Sequence, residues 1–224
     1  MPVRPILDKF LIDIRDDLLR LASMVDQAIA HSIQALVERD LVLASATSAN
    51  DLNLNRARFN IEEVCYSLLA TQQPAASDLR VVVGTVAVAT NLERIGDHAA
   101  GVARLVLRMA DAPFPHPLVS LPQMGEIGRL MVRQSVEAFC NRATALAEAV
   151  MERDHQIDLL HGQVYRDLVA LMTQNPSLIE RATHLLWVSH NYERIGDRAT
   201  NICERAIYVT TGELRENKPL PPSP

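Results

Sequence analysis

One nine-residue segment occurs twice in this chain, a hundred positions apart. Asn91-Leu92-Glu93-Arg94-Ile95-Gly96-Asp97-His98-Ala99 returns as Asn191-Tyr192-Glu193-Arg194-Ile195-Gly196-Asp197-Arg198-Ala199, identical at seven of nine positions. Upstream, Glu38-Arg39-Asp40 has a formal match in Glu152-Arg153-Asp154, and Gln72-Gln73-Pro74 resembles Gln174-Asn175-Pro176. Self-similarity at a fixed long period marks a duplicated supersecondary unit. The chain is therefore expected to be two copies of one small fold placed in tandem.

The prolines show where each copy begins and ends. They cluster at 113, 115, 117 and 122 and again after 218, with single prolines at 74 and 176. Because proline breaks a helix interior, such clusters mark boundaries, and the long stretches between them are free to be helical. Leu7, Leu11, Ile14, Leu18, Leu21, Val25, Ala28, Ser32 and Ala35 step by three and four, as one apolar helical seam does. Val132, Val136, Phe139, Ala143, Leu146 and Val150 form the counterpart. Six long helices are predicted, over 6–43, 47–72, 75–111, 120–152, 154–173 and 177–211. Val81 to Val88 has strand propensity, but it lies in a long proline-free stretch with no partner strand, so it is predicted helical. The expected fold is all-α: two three-helix bundles related by a pseudo-two-fold. The expected domains are 1–112, a proline-rich linker 113–119, a second repeat 120–212, and a tail 213–224.

Composition removes several function classes. The net charge is −5 and no run of basic residues is present, so the electrostatic footprint of a nucleic-acid binder is missing. Cys65, Cys140 and Cys203 are an odd number and far apart, which reads as buried thiols of a reducing compartment. Charged residues interrupt the first sixteen positions, unlike a signal peptide, and Val81 to Thr90 is about half of the ~20 residues needed to cross a bilayer. A cytoplasmic protein is expected, at most peripheral to a membrane complex.

Within each repeat, Glu-x-x-x-Asp puts two carboxylates on one helical face, where like charges disfavour the helix, next to a glycine that also disfavours it. Some compensating interaction is implied, and the glycine suits close approach of a neighbouring helix. Folding the chain back at Pro74 brings Asp97 level with Asp51 and Glu93 level with Asn55. Folding it between Asn175 and Pro176 brings Asp197 level with Asp154 and Glu193 level with Asp158. Four carboxylates then face one another in the second repeat. Partly buried, such a group must retain protons or bind a cation, and all-oxygen donors suit magnesium, manganese, calcium or oxo-bridged iron. Asn201 and Glu204 continue the same face as further candidate ligands. The first-repeat site of Asp51, Asn55, Glu93 and Asp97 is the poorer one, with Asn55 for Asp158 and Gly101 for Asn201. The competing reading is a solvated acidic face paired with Arg94 and Arg194. His98 and His190 are expected near the ligands or at the surface, and His155 and His161 are expected to be solvated.

Gln72-Gln73-Pro74-Ala75-Ala76-Ser77-Asp78-Leu79-Arg80, the two Glu-Arg-Ile-Gly-Asp segments and Asn201-Ile202-Cys203-Glu204 together resemble the PhoU family signature over nearly the whole chain. The resemblance implies two three-helix bundles that bind iron, zinc, manganese, magnesium or another divalent-metal cluster through paired acidic motifs. It also implies a regulator of phosphate uptake and of the phosphate-starvation response, contacting the phosphate ABC transporter ATPase and a sensor histidine kinase. A homodimer is compatible with it. Asn55, Gly101 and Arg198 depart from the family pattern. The alternatives are a carboxylate-bridged di-metal enzyme, which would need Glu-x-x-His on two helices, and a metal-free helical adaptor. No nucleophile–base set or phosphate loop is present, so no catalysis is expected.

Overall fold

The computed structural model describes residues 5–74, 76–110, 114 and 119–213, and within them every regular element is helical. The helices are α1 (Pro5–Glu38), α2 (Leu41–Ala49), α3 (Asp51–Gln72), α4 (Ala76–Arg108), α5 (Ser120–Asn141), α6 (Thr144–Gln174) and α7 (Ile179–Thr211), with a 3-10 turn at Pro176–Leu178 before α7. Apart from Phe114 and Val119 the predicted linker lies outside the described residues, as does the predicted tail beyond Glu213. Phe114 lies under the Arg39 guanidinium, 5.5 Å from its ring centre.

The first bundle is α1, the α2–α3 arm and α4; the second is α5, α6 and α7. In each, the three helices pack on one another, and the bundles join through α4 against α7 and α1 against α5. Both joining pairs run antiparallel. Gly84 faces Val209 while Gly101 faces Asn191, and Asp26 meets Arg129 while Arg15 meets Asn141. Equivalent positions of the two repeats therefore meet head to tail, as a pseudo-two-fold requires. The Asp26–Arg129 pair has two 2.9 Å hydrogen bonds, Nε to Oδ1 and Nη2 to Oδ2, tying α1 to α5 near the axis.

The apolar seam of α1 is buried as predicted, apart from Leu11, which is half-buried against the core. The Val81–Val88 stretch is helical, with Val82, Gly84, Thr85 and Val88 buried, so packing overrides its strand propensity. Two boundaries differ from expectation. The first helix stops at Glu38, where Arg39 turns left-handed (φ 55) and the Asp40 carboxylate caps α2 by accepting the Leu43 N–H at 2.9 Å. In the second bundle the chain breaks after Asn141, with Arg142 left-handed (φ 54), about ten residues before the predicted break. Val132, Val136 and Phe139 are thus on α5 while Leu146 and Val150 are on α6, so the second apolar run spans two helices. Arg39 is matched structurally by Arg142. Arg153 lies in mid-α6, and the Glu38-Arg39-Asp40 match to Glu152-Arg153-Asp154 is coincidental. Neither arginine carries the glycine or asparagine that ordinarily signals a left-handed helix end, which is why the sequence hides both stops.

Candidate metal centre

The predicted carboxylates gather between the paired helices of the hairpins α3–α4 and α6–α7, several turns away from where each hairpin closes. In the second bundle, Asp154 and Asp158 on α6 face Glu193 and Asp197 on α7. Burial and then the charges of Asp158, Asp197 and Glu193 push the Asp154 carboxyl up to about 7. Burial and Asp197 push Glu193 to about 7 against the opposing pull of Arg194. Asp158 is raised by burial and by Asp197, with His155 and His161 pulling the other way. Glu193 Oε2 is buried without a hydrogen-bond partner, although His190 Nδ1 and Arg194 Nε each stand 3.4 Å from it.

Gly196 makes this approach possible. A Cβ there would lie 2.6 Å from Asp154 Oδ1 and 3.0 Å from Ile157 Cδ1, so α6 sits directly on the α7 backbone. Gly96 does the same in the first bundle, where a Cβ would lie 2.4 Å from Leu54 Cδ1. Each motif glycine therefore offsets its helix-propensity cost of about 1 kcal/mol by close packing.

The first-bundle site is a different electrostatic object. Burial first, then the charge of Asp97 and a hydrogen bond with it, raise the Asp51 carboxyl, while Arg104 lowers it. Burial and Asp97 raise Glu93, with Arg94 and Arg58 opposing. Asn55 is half-buried on α3, its Nδ2 donating to the Asp51 carbonyl at 3.4 Å. Two cations thus reach this cluster from positions the acid motif did not flag. Arg58 stands where the second bundle has His161, and Arg104 where it has Glu204.

Several neighbours differ from the sequence reading. His161 is not solvated: its Nδ1 is 2.8 Å from Ser189 Oγ, and burial lowers its pKa. His190 stands beside Glu193, and burial lowers its pKa too. His155 is exposed, as expected. His98 is half-buried with Nδ1 3.1 Å from Asn191 Oδ1. Arg94 and Arg194 pair with Asp97 and Asp197 at 3.2 and 2.8 Å, as the competing reading anticipated. Asn201 is half-buried on α7, and Glu204 together with Asp154 raises the Cys203 thiol, which burial chiefly drives to about 12. One Glu-x-x-His, Glu152 to His155, lies on α6 with both side chains exposed. The histidines had a weak signal in the sequence, since His161 follows Asp158 by three and His190 precedes Glu193 by three, which places them on the acidic face.

As donors the second-bundle side chains fit a cation: four mutually repelling carboxylates, two driven toward neutrality, and one orphaned buried oxygen. Their placement is less converged. Among the described residues, no three His, Cys, Asp or Glu side chains are arranged to hold one metal ion.

The PhoU domain family matches residues 18–106 and 121–206, one match per bundle. A phosphate-specific transport system accessory protein PhoU homolog of Rhizobium meliloti is 35% identical over 86% of this chain and 81% of its own length. The homolog of Aquifex aeolicus is 35% identical over 92% of this chain and 93% of its own. The crystal structure of PhoU from Pseudomonas aeruginosa superposes with a TM-score of 0.89 at 33% identity, over 92% of this chain and 99% of that one.

Proposed function

This chain belongs to the PhoU family, and from that premise we propose that it is a non-enzymatic regulator of phosphate uptake and of the phosphate-starvation response. Its relatives are accessory proteins of a phosphate-specific transport system, which supports association with such a transporter. The partners we assign are the transporter's ATPase, on the cytoplasmic side, and a sensor histidine kinase. Among the described residues no helix is long and apolar enough to cross a membrane, so contact with the transporter would be made by docking.

The observation that carries the metal part of the reading is the gathering of Asp154, Asp158, Glu193 and Asp197, with two of these carboxyls lifted to about 7. Those four side chains would hold the metal, with Glu204 and Asn201 further along α7. When bound, a divalent or trivalent cation supplies the positive charge that lets all four ionise together. The residues themselves hold α6 to α7 and present an acidic outer face midway along the hairpin. In the first bundle Arg58 and Arg104 supply that positive charge internally, so the second bundle is the metal-bearing one. Catalysis is not part of the reading, because the di-metal enzyme alternative needs Glu-x-x-His on two helices and the sole example here is exposed.

One observation favours a second reading. The Arg94 and Arg194 ion pairs, with no three ligand side chains converged, suit a metal-free acidic docking surface. The regulatory role is tested by deleting the gene and measuring phosphate uptake and starvation-gene expression in phosphate-rich medium. Raised expression supports the reading, and unchanged uptake and expression overturn it.

A further inference from the structure

The acidic sites lie on the outer hairpins, and the junction between the bundles has the opposite character at one end. A cleft of about 310 Å3 opens between the last turns of α4 and the first turns of α7, lined by Gly101, Arg104, Arg108, His184, Trp187 and Asn191 among others. Its floor is built. Asn191 Oδ1 meets His98 Nδ1 at 3.1 Å, and Asn191 Nδ2 donates to the Trp187 carbonyl at 2.7 Å, fixing that turn of α7. A Cβ on Gly101 would lie 2.9 Å from Asn191 Oδ1, so the two helices touch here and part beyond it.

The side chains above the floor are two arginines facing an indole. Arg104 and Arg108 stand one turn apart, both exposed; Arg108 makes no ion pair or hydrogen bond among the described residues, and Arg104 acts on Asp51 through its charge alone. Arg20, Arg58, Arg94, Arg129, Arg133 and Arg194 all have carboxylate partners. A basic residue in the last turn complements the helix dipole, which accounts for Arg108 alone but not for the pair facing an aromatic ring. Opposite them is Trp187, the only tryptophan of the chain, 54% exposed, with the His190 ring packed against it in an edge contact, centroids 5.6 Å apart. Paired guanidinium groups match phosphate oxygens, and an open indole is a stacking platform for a base. The net charge of −5 disfavours an extended phosphodiester, which leaves a single nucleotide as the matching ligand.

We propose that this cleft binds a mononucleotide, its phosphate held by Arg104 and Arg108 and its base stacked on Trp187. The site shares no residue with the second-bundle carboxylates, and Arg104 is common to it and to the first-bundle cluster. Its ligand would bridge the last helix of one repeat to the last helix of the other, so occupancy would stiffen the junction between the bundles. The full-length protein is titrated with AMP, ADP and ATP, following Trp187 fluorescence, with equilibrium dialysis of labelled nucleotide in parallel. Saturable quenching below about 1 mM is expected for at least one nucleotide. Arg108→Gln, an exposed change that leaves the helix intact by circular dichroism, should weaken binding about tenfold or more, and Trp187→Leu should do the same in dialysis. No saturable binding up to about 1 mM overturns the proposal, as does unaltered affinity in Arg108→Gln. Inorganic phosphate saturating the same signal at the same concentration also overturns it, because the base would then contribute nothing.

Discussion

Replacing Asp154 by asparagine should stabilise the metal-free protein at alkaline pH, although it removes a residue of the proposed site. In the folded chain the Asp154 carboxyl is pushed from 3.8 to about 7, by burial first and then by Asp158, Asp197 and Glu193. A carboxyl raised on folding binds more protons in the folded state than in the unfolded one. The stability this contributes is complete below about pH 4 and is lost as pH rises through about 7. Carried to completion, the loss is about 4 kcal/mol at ~1.4 kcal/mol per pK unit. Glu193 shares the same repulsion, and sharing reduces the part that one substitution recovers to about 2 kcal/mol. For a chain of this size that is a rise in Tm of roughly 4–8 °C. Asparagine keeps the shape that fits over Gly196, so packing is preserved. Thermal melts in chelator at pH 5 and pH 8 check this: a higher Tm at pH 8 and a clearly smaller rise at pH 5 are expected. A lower Tm at pH 8 would refute the argument that the carboxylates strain the metal-free fold.

Other perturbations test separate parts of the account. Gly196→Ala drives a Cβ into Asp154 and Ile157, and should cost about 1–3 kcal/mol and lower metal content, read by chemical denaturation and elemental analysis. Asp26→Asn breaks the two-bonded contact with Arg129 between α1 and α5, and should cost about 1–2 kcal/mol in denaturant melts, with less effect at high salt. Burial holds the Cys65 thiol up at about 11 and Cys203 at about 12, so at pH 8 neither should react with a disulfide reagent before the protein unfolds.

Much of this molecule was legible in its residues. The repeat, the proline spacing and the apolar seam of α1 fixed the helical class, and equal distances from Pro74 and from Asn175–Pro176 brought the right carboxylates together. Helix stops at Arg39 and Arg142 were hidden because an arginine, unlike a glycine or asparagine, gives no sign in the sequence of a left-handed turn. The Asn55 amide also bonds a carbonyl of its own helix, a contact no spacing rule reveals. Arg58 and Arg104 were missed for another reason. They belong to no repeated motif, and although spacing aligns them with His161 and Glu204, it does not show that their charges reach Asp51 and Glu93.

The central claim is that the α6–α7 carboxylates hold a metal, and metal content of protein purified without chelator tests it most directly, beside an Asp158→Ala, Glu193→Ala double variant. The account predicts bound metal in the parent and its loss in a variant that remains fully helical by circular dichroism. Equal metal in both, or none in a parent from metal-replete cells, would contradict the claim and leave the acidic face as a docking surface.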